Sequence, residues 1–259
     1  MPGPPSAPPA VAALERLAAR SWRGLEEEPY GDWLLRAGGG FTGRANSVLA
    51  VGDPPEPLPD AVRTVTRWYA ARGLRARAQV PLPGAEQADA AFAAAGWTAD
   101  EDVLVLTAPL ADWSAPPVRV DLAAVPDAAW LAGYRYRGTP LPPVAEAVLV
   151  NADDPVFAAV RLDPPPAPLA AVARGAVVED WLVVTAVTVA ERHRRRGLAT
   201  AVMAALAGWA RARGARSCVL QTVAANAPAT GLYRGLGFSE HHRYHYRLGP
   251  PPPPAARAP

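Results

Sequence analysis

The sequence predicts an α/β fold built from two copies of one unit, on three observations. Apolar stretches of strand length alternate with longer stretches of helical spacing through most of the 259 residues, as in a mixed sheet flanked by helices. An offset of 141 residues carries Trp68-Tyr-Ala-Ala-Arg-Gly73 onto Trp209-Ala-Arg-Ala-Arg-Gly214, and the same offset carries Gly96-Trp97 onto Gly237-Phe238. Finally, the apolar run Trp181–Val189 leads into a basic, glycine-containing loop, Arg194–Thr200, that opens a helical pattern. A strand, a glycine loop and a helix N-terminus in succession form a place to hold phosphates, because free N–H groups converge there and the helix dipole favours an anion.

The elements follow in order. Residues 1–10 and 249–259 are Pro-rich and are expected to be disordered tails. In the first unit, 11–108, the pattern predicts a helix over Val11–Ser21, strands over Trp33–Arg36 and Ser47–Val51, and a helix over Asp60–Arg72 with Val62, Val65 and Tyr69 on one face. The strand Ala76–Val80, the helix Ala88–Ala95 and the strand Val103–Thr107 complete it, and Ala108–Pro117 reads as the linker. In the second unit, 118–248, residues 118–123 alternate as a strand and Pro126–Arg137 has helical spacing, with a further short helix over Val144–Leu149. Strands are expected over Val156–Leu162 and Leu169–Val178, joined by Asp163-Pro-Pro-Pro, which must break the ladder. Trp181–Val189 is apolar on both faces, as a covered central strand should be. A helix over Gly197–Arg213, a strand over Cys218–Val223, a helix over Ala227–Leu236 and a strand over Phe238–Leu248 close the chain.

Composition narrows the function classes. The formal charge of +2 is too near neutral to make nucleic acid the main partner. All 26 basic residues are Arg and Ile is absent, which reads as codon bias. Cys218 is the one cysteine, so neither a disulfide framework nor a thiolate metal site is expected. No apolar run reaches the roughly 18 residues of a membrane span, and no signal-like N-terminus is seen. A cytoplasmic protein without a membrane partner is expected.

The segment Asn226-Ala-Pro-Ala229-Thr-Gly-Leu232-Tyr233-Arg-Gly-Leu236-Gly237-Phe238, taken with Arg194–Thr200, resembles the two signatures of the GNAT superfamily of N-acetyltransferases. The likeness covers about 118–248, and the whole chain resembles an actinobacterial subgroup of tandem members with a degenerate first copy. The resemblance implies two tandem acyl-CoA N-acyltransferase domains and transfer of an acetyl group from acetyl-CoA to a primary amine, of a small molecule or a protein, in a ternary complex without a metal. It implies that the backbone of Val187, Thr188 and Val189 binds the acetyl and pantetheine portions. The amides of Arg194, Arg195, Arg196, Gly197, Leu198, Ala199 and Thr200 would hold the pyrophosphate. Asn226 would contact the pantetheine arm, and Tyr233 would protonate the departing thiolate.

One position departs from the pattern. Several family members carry a Glu as general base five residues before this Asn, and here the residue is Gln221, which cannot take up a proton. A relayed water, Asp180, Glu146 or the free-amine fraction of the substrate remain as sources of the base function. The offset equates Arg194, Gly197 and Ala199 with Asp53, Glu56 and Leu58, Asn226 with Ala85 and Tyr233 with Phe92. Two acids and three prolines make a poor phosphate cradle, so the first copy is expected to be structural or to shape the acceptor pocket. A non-catalytic acyl-CoA sensor or scaffold is the alternative.

Other features carry blander readings. Gly38-Gly-Gly40-Phe-Thr-Gly43 matches a dinucleotide fingerprint, but Arg44–Val51 reads as a strand rather than the helix that site needs, so a hairpin turn is expected. Thr42, Arg44, Asn46 and Ser47 are polar enough to face an acceptor. His241, His242 and His245 gather no third ligand on either strand face and read as cross-strand packing. The basic run Arg192–Arg196 has no interleaved aromatics. Tyr134 and Tyr136 suit either core or acceptor-pocket walls, and Cys218 suits a buried strand.

Overall fold

A computed structural model describes residues 10–136, 138–162 and 167–251. The Asp163-Pro-Pro-Pro loop and most of both Pro-rich tails lie outside the described residues. Seven helices and twelve strands are assigned among those described: α1 (Val11–Ser21), β1 (Glu26–Tyr30), β2 (Trp33–Ala37), β3 (Val48–Leu49), α2 (Leu58–Ala70), β4 (Arg77–Leu82), α3 (Glu86–Ala94), β5 (Thr98–Ala99), β6 (Val103–Pro109), β7 (Asp121–Ala123), α4 (Ala128–Gly133), α5 (Ala145–Val150), β8 (Val156–Val160), β9 (Ala171–Val178), β10 (Trp181–Val189), α6 (Leu198–Arg211), β11 (Ser217–Val223), α7 (Ala227–Gly235) and β12 (Ser239–Leu248). The offset of 141 superposes α3 on α7 and β4 on β11 residue for residue, apart from Ser217.

All twelve strands belong to one sheet in the order β1-β2-β3-β4-β12-β6-β11-β10-β9-β8-β7, with β5 paired to β12. The two units exchange their last strands. β6, from the first, lies antiparallel to β11 over Ser217–Val223, while β12, from the second, lies antiparallel to β4 over Arg243–Leu248. β6 and β12 pair with each other at the centre, with a register shift between Glu240 and His242. Local apolar patterns specify strands but not their partners, so the exchange was not visible in the sequence.

Helices cover both faces. α6 and α7 lie over the second unit's strands, where Val202, Met203 and Leu206 pack with Leu182, Val184 and Leu220. The equivalent cluster in the first unit joins Val62, Val65 and Tyr69 of α2 with Trp33, Val80, Phe92 and Trp97. On the opposite face α1 spans the junction, its Leu14 and Leu17 packed on Val105, Val183, Val219 and Tyr244. Next to it α4, α5 and the 38–46 loop bury Trp22, Phe41, Trp130, Val148 and Phe157 together. The segment after β6 is no free tether, because Trp113 donates through Nε1 to the Leu236 carbonyl at 2.9 Å and its ring lies 5.6 Å from Phe238.

Three expectations need correction. The Arg44–Val51 stretch is not one strand: Arg44–Asn46 is a 3₁₀ turn and only Val48–Leu49 pairs. Asn46 causes this, since its Oδ1 accepts from the N–H groups of Gly38 and Gly40 and its Nδ2 donates to the carbonyls of Phe41 and Thr42, folding a compact loop. The Pro126–Arg137 helix is only Ala128–Gly133. Asp127 caps it through Trp130 N–H, and Tyr134 turns extended after Gly133. The histidines do more than pack across strands. His242 Nε2 meets Glu15 Oε1 of α1 at 2.8 Å, and His245 Nε2 meets Asp89 Oδ1 of α3 at 2.7 Å. Both carboxylates are remote in sequence, where strand-face reasoning could not see them.

Candidate active site

The site arises where β10 leaves β11. The parallel pairing of these strands stops at Val184 and Leu220. Ala186, with φ +56°, is the extra residue of a bulge that shifts the β9–β10 register between Thr185 and Thr188. A bulge bends its strand and ends pairing, so Thr185–Val189 of β10 and Gln221–Val223 of β11 diverge with facing edges unpaired. At about 3.3 Å per residue the open edge of β10 is roughly 16 Å long. Val187, Thr188 and Val189 are half-buried along it, and Val187 and Val189 pack toward the same cluster as Leu198 and Tyr233.

At the end of this cleft the chain enters α6 through a loop shaped for close backbone approach. Arg195 and Gly197 have φ +62° and +74°, and Gly197 is the N-cap without any side-chain cap. Among the described residues, the N–H groups of Arg195, Arg196, Gly197, Leu198, Ala199 and Thr200 make no hydrogen bond; the first donor beyond them is Ala201, to the Gly197 carbonyl. The N–H of Arg194 is taken by Glu191. The side chains of Arg194, Arg195 and Arg196 are exposed around the loop, and His193 Nδ1 lies 3.1 Å from Arg196 Nη1. Six free amides at a helix N-terminus form an anion cradle.

Asn226 N-caps α7, with Oδ1 accepting from Ala229 N–H at 3.3 Å, and Pro228 occupies the first turn. This cap aims α7 across the cleft and buries Tyr233, whose hydroxyl has no hydrogen-bond partner among the described residues. Burial pushes its phenol up to about 12. Cys218 lies nearby at zero exposure, its thiol also raised by burial.

The other side of the cleft is built partly by the first unit. Gln221 faces away from α6, and its Oε1 accepts from Arg44 Nη1 at 3.0 Å and from the Tyr244 hydroxyl at 3.1 Å. Of the four polar residues of the 38–46 loop region, only Arg44 reaches the cleft. Thr42 accepts from Trp22 Nε1, Ser47 accepts from Arg36, and Asn46 holds the loop itself. Tyr134 is buried, with its phenol pushed up to about 12 by desolvation, and Tyr136 meets Phe41 edge-on at 5.6 Å. Among the base candidates, Asp180 sits before the first residue of β10 and its carbonyl serves Arg216. That is roughly 25 Å along the strand from Thr188, so it does not line the cleft. Glu146 lines a surface depression with Leu131, Tyr134, Arg135 and Pro142.

The first unit has no equivalent site. Where the cradle would be, Glu56 accepts from the hydroxyls of Tyr30 and Thr64, and these bonds hold its carboxyl below the usual range. Phe92, the counterpart of Tyr233, is stacked 5.7 Å from Trp33. Arg44 and Arg174 are the site-side residues that sequence reasoning missed as a pair. The signal for Arg174 was a lone guanidinium inside the apolar run Ala171–Val178.

A family model described as "Probable histone acetyltransferase Rv0428c C-terminal" matches residues 9–247. The chain is 26% identical over 257 residues to the uncharacterized N-acetyltransferase YobR of Bacillus subtilis, covering 92% of this chain and 98% of that protein. It is 29% identical over 248 residues to the probable histone acetyltransferase Rv0428c of Mycobacterium tuberculosis, covering 92% of this chain and 73% of that protein. The fold matches a GCN5-related N-acetyltransferase from Kribbella flavida with a TM-score of 0.67 at 19% identity, over 93% and 95% of the two chains. A tandem GNAT protein from the clavulanic acid biosynthesis pathway matches with a TM-score of 0.59 at 14% identity, over 97% and 91%. With the splayed strand, the free-amide loop and both signature segments in one cleft, the chain belongs to the Rv0428c C-terminal family and is a GNAT-type acyltransferase.

Proposed function

We propose that this chain transfers the acetyl group of acetyl-CoA to a primary amine by direct attack in a ternary complex, using the second unit's cleft alone. The observation that carries the proposal is the run of six unbonded amides from Arg195 to Thr200, continuous with the open edge of β10. Arg195–Thr200 hold the pyrophosphate, and the backbone of Val187–Val189 binds the pantetheine arm and polarises the acetyl carbonyl. Asn226 borders the arm through the amide end its cap leaves unused. The amine nitrogen attacks the carbonyl carbon, the C–S bond breaks, Tyr233 gives its proton to the departing sulfur, and the proton that the nitrogen sheds as the amide forms returns through water to the Tyr233 phenolate. Burial keeps this phenol protonated at neutral pH, so it is present as a proton donor when the C–S bond breaks.

Gln221 acts as a positioning residue, since its carbonyl end is occupied by Arg44 and Tyr244. The amine therefore reacts from its free-base fraction or loses its proton to water. The same occupied amide favours one other reading, an acyl-CoA sensor without turnover. The deciding experiment titrates acetyl-CoA calorimetrically and then follows thiol release against a panel of small amines, amino acids and a lysine peptide. The peptide is included because of the name carried by the mycobacterial relative. Binding with amine-dependent thiol release supports the transferase. Binding without it favours the sensor, and no binding overturns both.

A further inference from the structure

Among the described residues, three buried side-chain polar atoms lack a hydrogen-bond partner: Arg174 Nη1, Arg174 Nη2 and Thr185 Oγ1. They come from one place, for Arg174 of β9 and Thr185 of β10 are directly paired across the strands, so both side chains share a face. That face is the one bearing Gln221, opposite α6, and Thr185 immediately precedes the bulge that opens the cleft. Arg174 is fully buried, with Nε bonded to the Leu149 carbonyl at 2.7 Å and its guanidinium 5.1 Å from the Trp22 ring. Arg44 lies 5.0 Å from the same ring.

Trp22 and Tyr134 lie against this pair, with Gln221 and Tyr244 on the Arg44 side. No carboxylate is among the groups that act on Arg174; burial and the charge of Arg44 both disfavour its cation, which is held at about 9 and stays charged at neutral pH. A buried guanidinium without a counter-charge, beside a second cation, is costly unless an anion completes it.

We propose that Arg174 and Arg44 are the receptor for a carboxylate on the acceptor, so that the amine substrate is amino-acid-like, with a carboxylate close to the amine that is acetylated. The inference rests on the transferase reading above. Arg174 and Thr185 are paired on the face that carries Gln221, so a carboxylate held there lies on the Gln221 side of the sheet rather than the α6 side. Thr185 Oγ1 accepts from, or donates to, the same polar end of the molecule.

The test compares thiol release from acetyl-CoA with matched pairs, L-amino acids against their carboxamides, for the full chain and for Arg174→Met. The acids should be preferred by at least about tenfold in kcat/KM, as one charge-assisted contact predicts, and in Arg174→Met that ratio should fall to near one. Crystals of the full chain soaked in sodium iodide should show an anomalous peak between Arg174 and Arg44. Carboxamides used as well as acids, a preference that survives Arg174→Met, or a lysine peptide acetylated ahead of every acid overturns the proposal. If acetyl-CoA binds but no amine is turned over, the transferase reading fails, and the iodide peak alone then upholds or removes the anion site.

Discussion

Tyr233→Phe separates chemistry from packing more cleanly than any other change in the cleft. The substitution deletes one oxygen from a side chain that is 7% exposed and makes no hydrogen bond within the described structure. The ring keeps its place 5.9 Å from Phe238 in the α6–α7 cluster. Stability at pH 7 should therefore be nearly unchanged, since the ring contacts are kept and no protein hydrogen bond is lost. The sign reverses nowhere below pH 10, because folded and unfolded phenols are both neutral there. Between about 10 and 12 the unfolded tyrosine ionises while the folded one does not, so stability falls as pH rises. At about 1.4 kcal/mol per unit, Tyr233→Phe should remove a fall on the order of 3 kcal/mol. If Tyr233 is the general acid, kcat should drop by about 10²–10⁴-fold, with acetyl-CoA affinity held within about twofold. The assays are thiol release, calorimetric titration and urea melts across pH. Full activity in the Phe variant would refute the acid role, and a lost melting transition at pH 7 would refute the packing argument.

Three further outcomes follow from the same geometry. Gly197→Val should abolish acetyl-CoA binding, because Gly197 has φ +74° and its added Cβ would lie 3.0 Å from Pro116 as well as over the free amides. Arg195→Glu with Arg196→Glu should weaken binding less, which calorimetry at two salt concentrations can compare. Asp89→Asn should destabilise the protein by about 1–3 kcal/mol, because it unpins β12 from α3 by removing the partner of Arg247 and His245. Arg247 chiefly holds that carboxyl below its ordinary value. Its stabilisation is thus present above about pH 4 and lost as pH falls, and acid melts of the variant should be flatter in that range. A fragment of residues 118–248 should fail to fold as a monomer, since it lacks β6 and leaves the β11 edge Ser217–Val223 open. A monodisperse, cooperatively melting fragment on size-exclusion chromatography would contradict this.

What the sequence revealed and what it hid divide along range of interaction. The loop before α6 and the Asn226 cap of α7 were legible because a helix N-terminus and its cap are made by neighbours in the chain. Trp181–Val189 and Val11–Ser21 came out with their observed bounds because periodicity and length agree there. β1 was missed because Glu26-Glu-Glu-Pro-Tyr30 is an exposed edge whose charges and proline are edge protection, not strand propensity. Contacts set by the exchanged strands were out of reach altogether. Arg44 meets Gln221 across 177 positions, and Glu15 meets His242 across 227. Glu15 carries the kind of signal that can be read afterwards, an acid among the buried positions of α1, just as Arg174 is a cation among those of β9.

The exchange also bears on why a copy without a phosphate loop is built into the same sheet. Its α2 begins at Pro57-Leu58-Pro59, where prolines supply no N–H, and the adjacent Glu56 is bonded to the Tyr30 and Thr64 hydroxyls, so an anion finds a poor cradle there. Yet β6 completes the ladder beside β11, and β4 completes the one beside β12. α1 covers the junction and carries Glu15 into a buried chain of bonds that runs from Arg36 through Gln79 and Glu15 to His242. With the two units locked in this way, the 38–46 loop stands rigidly over the second unit's cleft, and Arg44 reaches Gln221 from a loop that Asn46 has already organised. The loop Arg194–Thr200 and the open edge of β10 belong wholly to the second unit. On the opposite face Gln221 is held between Arg44 of the first unit and Tyr244 of the second, so that side of the cleft is built only when both units are present.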